Sequence, residues 1–194
     1  MQSWTLCGRT LEFDEENHIY LVNGIIVKSV TQLLGRKFNK RFEGIPKDTL
    51  LQAAQRGTQI HKDVEDFCKG KPIDTREVKN FAFMQKHYGF EVVENEIPII
   101  FDLGGETYAG RLEMIIKVGD EYAVADIKTS SALDKEYLGH QLNLYRLGVA
   151  QSYPKYNITK LYGIHLREDK RKLVEIPIKG EEWLLKSLEL KETE

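Results

Sequence analysis

The chain has 194 residues, a formal net charge of −2 and two cysteines, Cys7 and Cys68. That length suits one domain with a substantial core, and two isolated cysteines exclude both a disulfide scaffold and a CxxC metal site. The charge gives no hint of nucleic acid and excludes none, because net charge speaks of steering rather than of what a cleft binds. No stretch approaches the roughly 20 apolar residues of a membrane span, and the opening segment carries no long apolar run, so a cytoplasmic chain with free thiols is expected.

His18 to Val30 reads as a hairpin, because Asn23-Gly24 between two apolar runs tolerates positive φ at both turn positions. Ser29 or Thr31 is placed to cap a short helix that Gly35 would end. Gly35 to Gly44 is basic and aromatic and reads as a loop. Pro46 to Gly70 reads as a helix, with Asp48 or Thr49 as cap and Leu50, Ala54, Ile60, Val64 and Phe67 as its apolar stripe. Gly57 falls mid-pattern as a candidate break. "TREVKNFAFMQKHYGF" gives a second helix with Gly89 as its stop. The period then changes to two. "EVVENEIPIIF", "TYAGRLEMIIKVG" and "EYAVADIKTS" read as three strands with turns at Gly104-Gly105 and Gly119-Asp120. Asp134 caps a helix reaching Tyr153, with Leu138, Leu142, Tyr145 and Val149 on one face. "KLYGIHL" and "KLVEIPI" close a hairpin across "REDKRK", whose Arg167, Lys170, Arg171 and Lys172 read as a charged turn. "EEWLLKSLELKETE" reads as a terminal helix that frays. This order predicts an α/β fold of the α+β kind, a mixed sheet with helices on its faces, as one domain over 1–194 with residues 1–45 appended to the core.

Residues two apart share a strand face, so Asp126 and Lys128 point the same way, with Ile127 turned into the core with Val124. If the strands on either side of Gly119-Asp120 pair in simple register, Glu113 lies beside Asp126. Two carboxylates about 4 Å apart repel by roughly 4 kcal/mol at an effective dielectric of about 20. Lys128 offsets part of that. A hard divalent cation, Mg²⁺ or Mn²⁺, offsets it more fully, polarises a phosphodiester and acidifies a bound water. The plainer reading is a polar sheet face with a weak Asp126–Lys128 surface pair, and the nearly all-apolar "YAVADI" speaks against it. Gly57 and His61 are four apart and share a helix face, as do Gln141 and Tyr145. Glu65, four after His61, either points into the same cleft or is a solvated helix charge. Arg36, Lys37, Lys40 and Arg41 interleave with Phe38 and Phe42, cations for phosphates and aromatic faces for the bases of a single strand.

At these residues the chain resembles the RecB-like branch of the PD-(D/E)XK nuclease superfamily. That branch carries an acid after a Gly-Arg-hydrophobic lead-in, here "GRLEM", then an Asp/Glu-x-Lys strand, here "DIKTS". It has a helical G-x-x-x-H upstream, here "GTQIH", and a helical Q-x-x-x-Y downstream, here "QLNLY". "VKSVTQLLG" is similar to the opening of phage-type and mitochondrial single-strand exonucleases of this branch.

The resemblance implies a restriction-endonuclease-like core. It implies that Glu113, Asp126 and the backbone carbonyl of Ile127 ligate metal, joined by His61, a ligand more in keeping with Mn²⁺ than Mg²⁺. Lys128 would be the catalytic lysine, with Gln141 and Tyr145 positioning it or the DNA. Gly57, Arg111 and Thr129 would line the DNA path with Arg36, Lys37, Phe38, Lys40 and Arg41. The chain departs from the family in carrying Glu113 where Asp is usual, which lengthens the reach by one methylene. Two cysteines cannot build the iron–sulfur cluster that some relatives hold with four. The expected activity is a metal-dependent DNA exonuclease of recombination or repair, acting on single strands or duplex ends, with a recombination or single-strand-binding protein as a possible partner. An endonuclease or resolvase, and a non-catalytic DNA-binding module, are the alternatives.

Overall fold

A computed structural model describes residues 1–190. It opens with a meander of four strands, β1 (Gln2–Leu6), β2 (Arg9–Asp14), β3 (Ile19–Val22) and β4 (Ile25–Ser29), each antiparallel to the next. Asn23 and Gly24 adopt φ of 51° and 79°, the turn their identities suggested. The β1–β2 hairpin was not anticipated. It turns at Cys7-Gly8, with φ of 46° and 78°, so a cysteine takes the left-handed position where Asn or Gly is usual.

Ser29 caps α1 (Val30–Lys37) in a reciprocal capping box with Gln32. Gly35 does not end this helix, which runs two residues past it. Helix α2 (Lys47–Cys68) is unbroken through Gly57, and neither Asp48 nor Thr49 caps it, since Pro46 holds that position without a side-chain bond. Its expected stripe is only half used. Ile60 and Val64 are buried, whereas Ala54 is exposed and Leu50 half-buried. Thr75 caps α3 (Arg76–Tyr88), and Gly89 stops it at φ 66°, ψ 43°.

Strands β5 (Phe90–Leu103), β6 (Glu106–Val118) and β7 (Glu121–Lys128) follow as expected. Helix α4 (Lys135–Ser152) is capped by Asp134, and β8 (Ile158–Leu166), β9 (Arg171–Glu175) and α5 (Glu181–Ser187) complete the described chain. The last four residues of the expected terminal helix lie outside the described residues.

The described strands form one nine-stranded mixed sheet. β4–β6 and β7–β8 are parallel; the other pairs are antiparallel. α1, α4 and α5 pack Leu33, Leu142 and Leu184 on one face, and α2 and α3 pack Ile60, Phe81 and Met84 on the other. Val124 belongs to the first layer and Ile127 to the second, so they do not share a face as expected; both are buried because helices cover both sides. The outer edge of β5 is closed by α4. Ser152 Oγ accepts from Ile100 N–H at 2.9 Å and donates to its carbonyl at 2.8 Å, standing in for a neighbouring strand.

One irregularity positions the site. β6 pairs with β4 only at Tyr108 and Ala109, and with β7 only from Met114 onward. Gly110 to Glu113 therefore have no ladder partner on that edge, and the sheet forks there.

Candidate functional site

Glu113 sits at the crotch of this fork. Its Oε2 accepts a hydrogen bond from the Ile127 N–H at 2.6 Å, so a side chain supplies what a strand carbonyl would supply one step earlier. Its Oε1 lies 2.9 Å from Nδ1 of His61, which α2 brings over the sheet. Asp126 faces Lys128, with Oδ2 and Nζ 2.6 Å apart. That contact is an ion pair by distance but not an aligned hydrogen bond, and Oδ2 has no other donor, so it keeps acceptor capacity. Glu113 and Asp126 are 8% and 5% exposed, which removes the reading of a solvated polar face.

The electrostatics follow from this packing. Burial pushes the Glu113 carboxyl up, against the pull of His61's charge and hydrogen bond. Burial alone would lower His61, but the charge and hydrogen bond of Glu113 and the charge of Asp126 outweigh it, and the imidazole is raised to about 9. Three side chains were expected to converge on one point. Instead the four charges resolve into two pairs, His61–Glu113 and Lys128–Asp126, and among the described residues no three His, Cys, Asp or Glu side chains surround a common centre.

Gln141 and Tyr145 reach the same region from α4. Gln141 Nε2 donates to the Tyr145 hydroxyl at 3.3 Å, while its buried Oε1 has no partner. Burial and the Asp126 charge push the Tyr145 hydroxyl well above its usual range. A Cβ on Gly57 would lie 3.2 Å from Thr129 Oγ1, so this glycine lets α2 close on the segment after Lys128. A Cβ on Gly110 would meet Val30 Cγ2 at 3.0 Å and Tyr145 Cε1 at 3.6 Å. Beside it opens a cavity of about 320 Å³, whose walls include Tyr20, Ser29, Glu96, Gly110, Arg111 and Tyr145.

Glu96 was missed. It lies across β5–β6 from Glu113, between the pairs Asn95–Met114 and Ile97–Leu112, at φ 50°. Burial and the Glu113 charge raise its carboxyl to about 7, against the pull of Arg111. Arg111 Nε lies 3.2 Å from its Oε2 and donates to its carbonyl at 3.3 Å. The available signal was positional, an acid in "ENEIP" that falls opposite Glu113 once the Gly104-Gly105 hairpin is in register.

The basic aromatic cluster is largely tied down. Arg41 pairs with Asp134 at 3.0 Å and lies 3.8 Å over the Tyr137 ring, and Lys37 lies 3.7 Å from Glu136. Phe38 stands edge-on to Tyr137 and His140, each at 5.3 Å, so its ring packs against α4 rather than facing outward for a base. Arg36, Lys40 and Phe42 are exposed. Glu65 pairs with Lys69 on its own helix.

No protein-family model and no curated protein matches the chain. A solved structure, the crystal structure of SSO0001, is similar over 84% of this chain and 73% of that one, at 18% identity and a TM-score of 0.46. Among the described residues, no helix is long and apolar enough to cross a membrane.

Proposed function

We propose that the chain is a metal-dependent deoxyribonuclease with a restriction-endonuclease-like core, working in the cytoplasm as an exonuclease on single strands or duplex ends in recombination or repair. The observation that supports this best is the placing of His61, Glu113, Asp126 and Lys128 together, three of them inside or beside an apolar sheet. Buried ion pairs are at best weak contributors to stability, so their collection at a fork in the ladder favours chemistry.

By the chemistry of its oxygens and imidazole, though not by their present pairing, the donor set suits a hard divalent cation. Glu113, Asp126, the Ile127 carbonyl and His61 are the groups that would hold it, and Asp126 Oδ2 is buried without an aligned donor. When bound, Mg²⁺ or Mn²⁺ neutralises phosphate charge and acidifies the attacking water. To hold the metal, His61 would have to be neutral, with the cation replacing the proton it shares with Glu113. Lys128 holds its ammonium on Asp126, where it can stabilise charge developing on the phosphate. Gln141 Oε1 offers a free acceptor toward an incoming donor, and Arg111, Thr129, Arg36 and Lys40 are the groups proposed to meet the DNA backbone. A recombination or single-strand-binding protein is the proposed partner.

One feature favours a second reading, a DNA-binding module without catalysis. His61 and Glu113 neutralise each other at 2.9 Å and leave no fixed charge for a cation to offset. End-labelled single- and double-stranded DNA, incubated with Mn²⁺ or Mg²⁺ and with parent or Lys128→Ala protein, separates the two. Cleavage by the parent alone, stopped by chelator, is the expected result. Equal cleavage by Lys128→Ala removes the lysine's role, and binding without cleavage favours the second reading. A closed circular substrate tells an exonuclease from an endonuclease.

A further inference from the structure

The segment Thr129 to Ser131 leaves β7 directly after Lys128, so its backbone carbonyls have no ladder partners. Each of the three is bonded by a cationic or imidazole side chain from one hairpin, β8–β9. Arg167 Nη1 donates to the Thr129 carbonyl at 3.0 Å. His165 Nε2 donates to the Ser130 carbonyl at 2.8 Å, and a carbonyl partner means this nitrogen carries the hydrogen. The Lys170 ammonium donates to the Ser131 carbonyl. The hairpin is itself fixed from α3, where Asn80 Nδ2 donates to the carbonyls of Arg167 at 2.8 Å and Glu168 at 3.2 Å, and Arg76 pairs with Glu168 at 2.8 Å.

Ser130 and Ser131 are exposed, so water could satisfy their carbonyls unaided. Three consecutive carbonyls bound by three side chains of one hairpin is therefore more than backbone satisfaction requires. The register adds to this, because His165 is the direct β8 neighbour of Lys128. The segment then runs to Asp134, the cap of the helix that carries Gln141 and Tyr145. Thr129 packs beneath Gly57 of α2, the helix that carries His61.

We infer that the β8–β9 hairpin is a clamp that sets where Lys128 stands, and that Arg167 and His165 are positioning residues for the reaction. This rests on the nuclease reading. Arg167 acts through the backbone of the segment and touches neither metal nor phosphate. The turn "REDKRK" thus has a use beyond being a charged turn: its first arginine and first lysine hold the segment that follows the catalytic strand.

The test compares parent protein with Arg167→Met, which keeps an unbranched apolar stem without a donor, and Arg167→Lys, which keeps a cationic donor. Two readouts are taken, amide exchange of the Thr129–Leu133 peptide and Mn²⁺-supported hydrolysis of end-labelled DNA. For Arg167→Met we expect exchange in that peptide to quicken roughly threefold or more, the scale of one lost hydrogen bond. We expect kcat to fall by about tenfold, as small misplacements of catalytic groups do, with KM within about twofold of the parent. Arg167→Lys should recover part of both changes. Unchanged exchange overturns the clamp. Quickened exchange with unchanged kcat overturns the positioning role. A loss confined to KM overturns it too, by making Arg167 a DNA contact. If the parent cleaves nothing, the nuclease reading falls and the catalytic sense of the clamp falls with it, while the exchange readout still decides whether the hairpin holds the segment.

Discussion

The backbone N–H of Ile127 donates to the carboxylate of Glu113 at 2.6 Å, across the point where their two strands stop pairing. One carboxylate thus serves two partners, because its other oxygen lies 2.9 Å from His61. The resembled family usually carries Asp at this position, so Glu113→Asp would seem a return to type. The geometry predicts otherwise. Shortening the side chain by one methylene withdraws it from Ile127, from His61 or from both. A buried N–H left without a partner costs about 1–3 kcal/mol. Urea unfolding should show a loss of that order, together with faster exchange of the Ile127 amide. Unchanged stability would mean that the strand ends close up and that the fork is not rigid.

His61 should make stability depend on pH in the metal-free protein. Its imidazole is raised to about 9 in the folded chain, because Glu113 and Asp126 outweigh the opposing effect of burial. A base raised above its unfolded value, about 6.5, binds its proton more tightly when folded. Its contribution is complete below about pH 6.5 and is lost as pH climbs to about 9. His61→Gln does not titrate. The stability gap between parent and variant, followed by urea midpoints in chelator, should therefore narrow across that window. A gap constant from pH 6 to 9 would show that the two carboxylates do not hold the proton.

Glu96 carries the opposite lesson. Burial and the neighbouring Glu113 raise its carboxyl to about 7. An acid raised above its unfolded value, about 4.3, costs the folded state stability as pH rises from about 4.3 to about 7. Glu96→Gln escapes that cost. The variant should match or trail the parent near pH 4, where Arg111 loses little, and should become the more stable of the two by pH 8. If it is less stable throughout, the Arg111 pair at 3.2 Å outweighs the crowding of the two acids.

Much of this arrangement is written in local sequence. Asn23-Gly24, Gly104-Gly105 and Gly119-Asp120 announced their turns, Asp134 is a helix cap by chemistry, and Gly89 ends α3 in the left-handed conformation that glycine adopts freely. Where these signals agree, Glu113 and Asp126 fall near one another by register alone. What stayed hidden depends on what lies across space. Helical spacing told that Leu50 and Ala54 share a face, but not that nothing covers Ala54. A mid-helix glycine reads as a break until Thr129 is seen beneath it. Glu96 is one acid among five from Glu91 to Glu106 until pairing sets it against Glu113. The reversal of faces between Val124 and Ile127 was a matter of period, since residues three apart on a strand cannot share a side.

Gly57 separates the helix's interest from the site's. In an exposed helix, Ala is favoured over Gly by about 1 kcal/mol, and α2 is continuous through this position. On propensity alone, Gly57→Ala should stabilise the protein. The added methyl, however, would stand 3.2 Å from Thr129 Oγ1, close enough that the hydroxyl or the helix must yield by a few tenths of an ångström. Thr129 follows Lys128, and His61 is one turn further along α2, so the displacement falls between the proposed metal ligand and the proposed catalytic lysine. The expected outcome is a melting temperature equal to or above the parent's, with DNA cleavage reduced by roughly tenfold or more, as misplacement of catalytic groups by less than an ångström permits. A stabilised variant with full activity would show that the approach of α2 to the segment after β7 has no bearing on the chemistry, and that Gly57 is there only by tolerance.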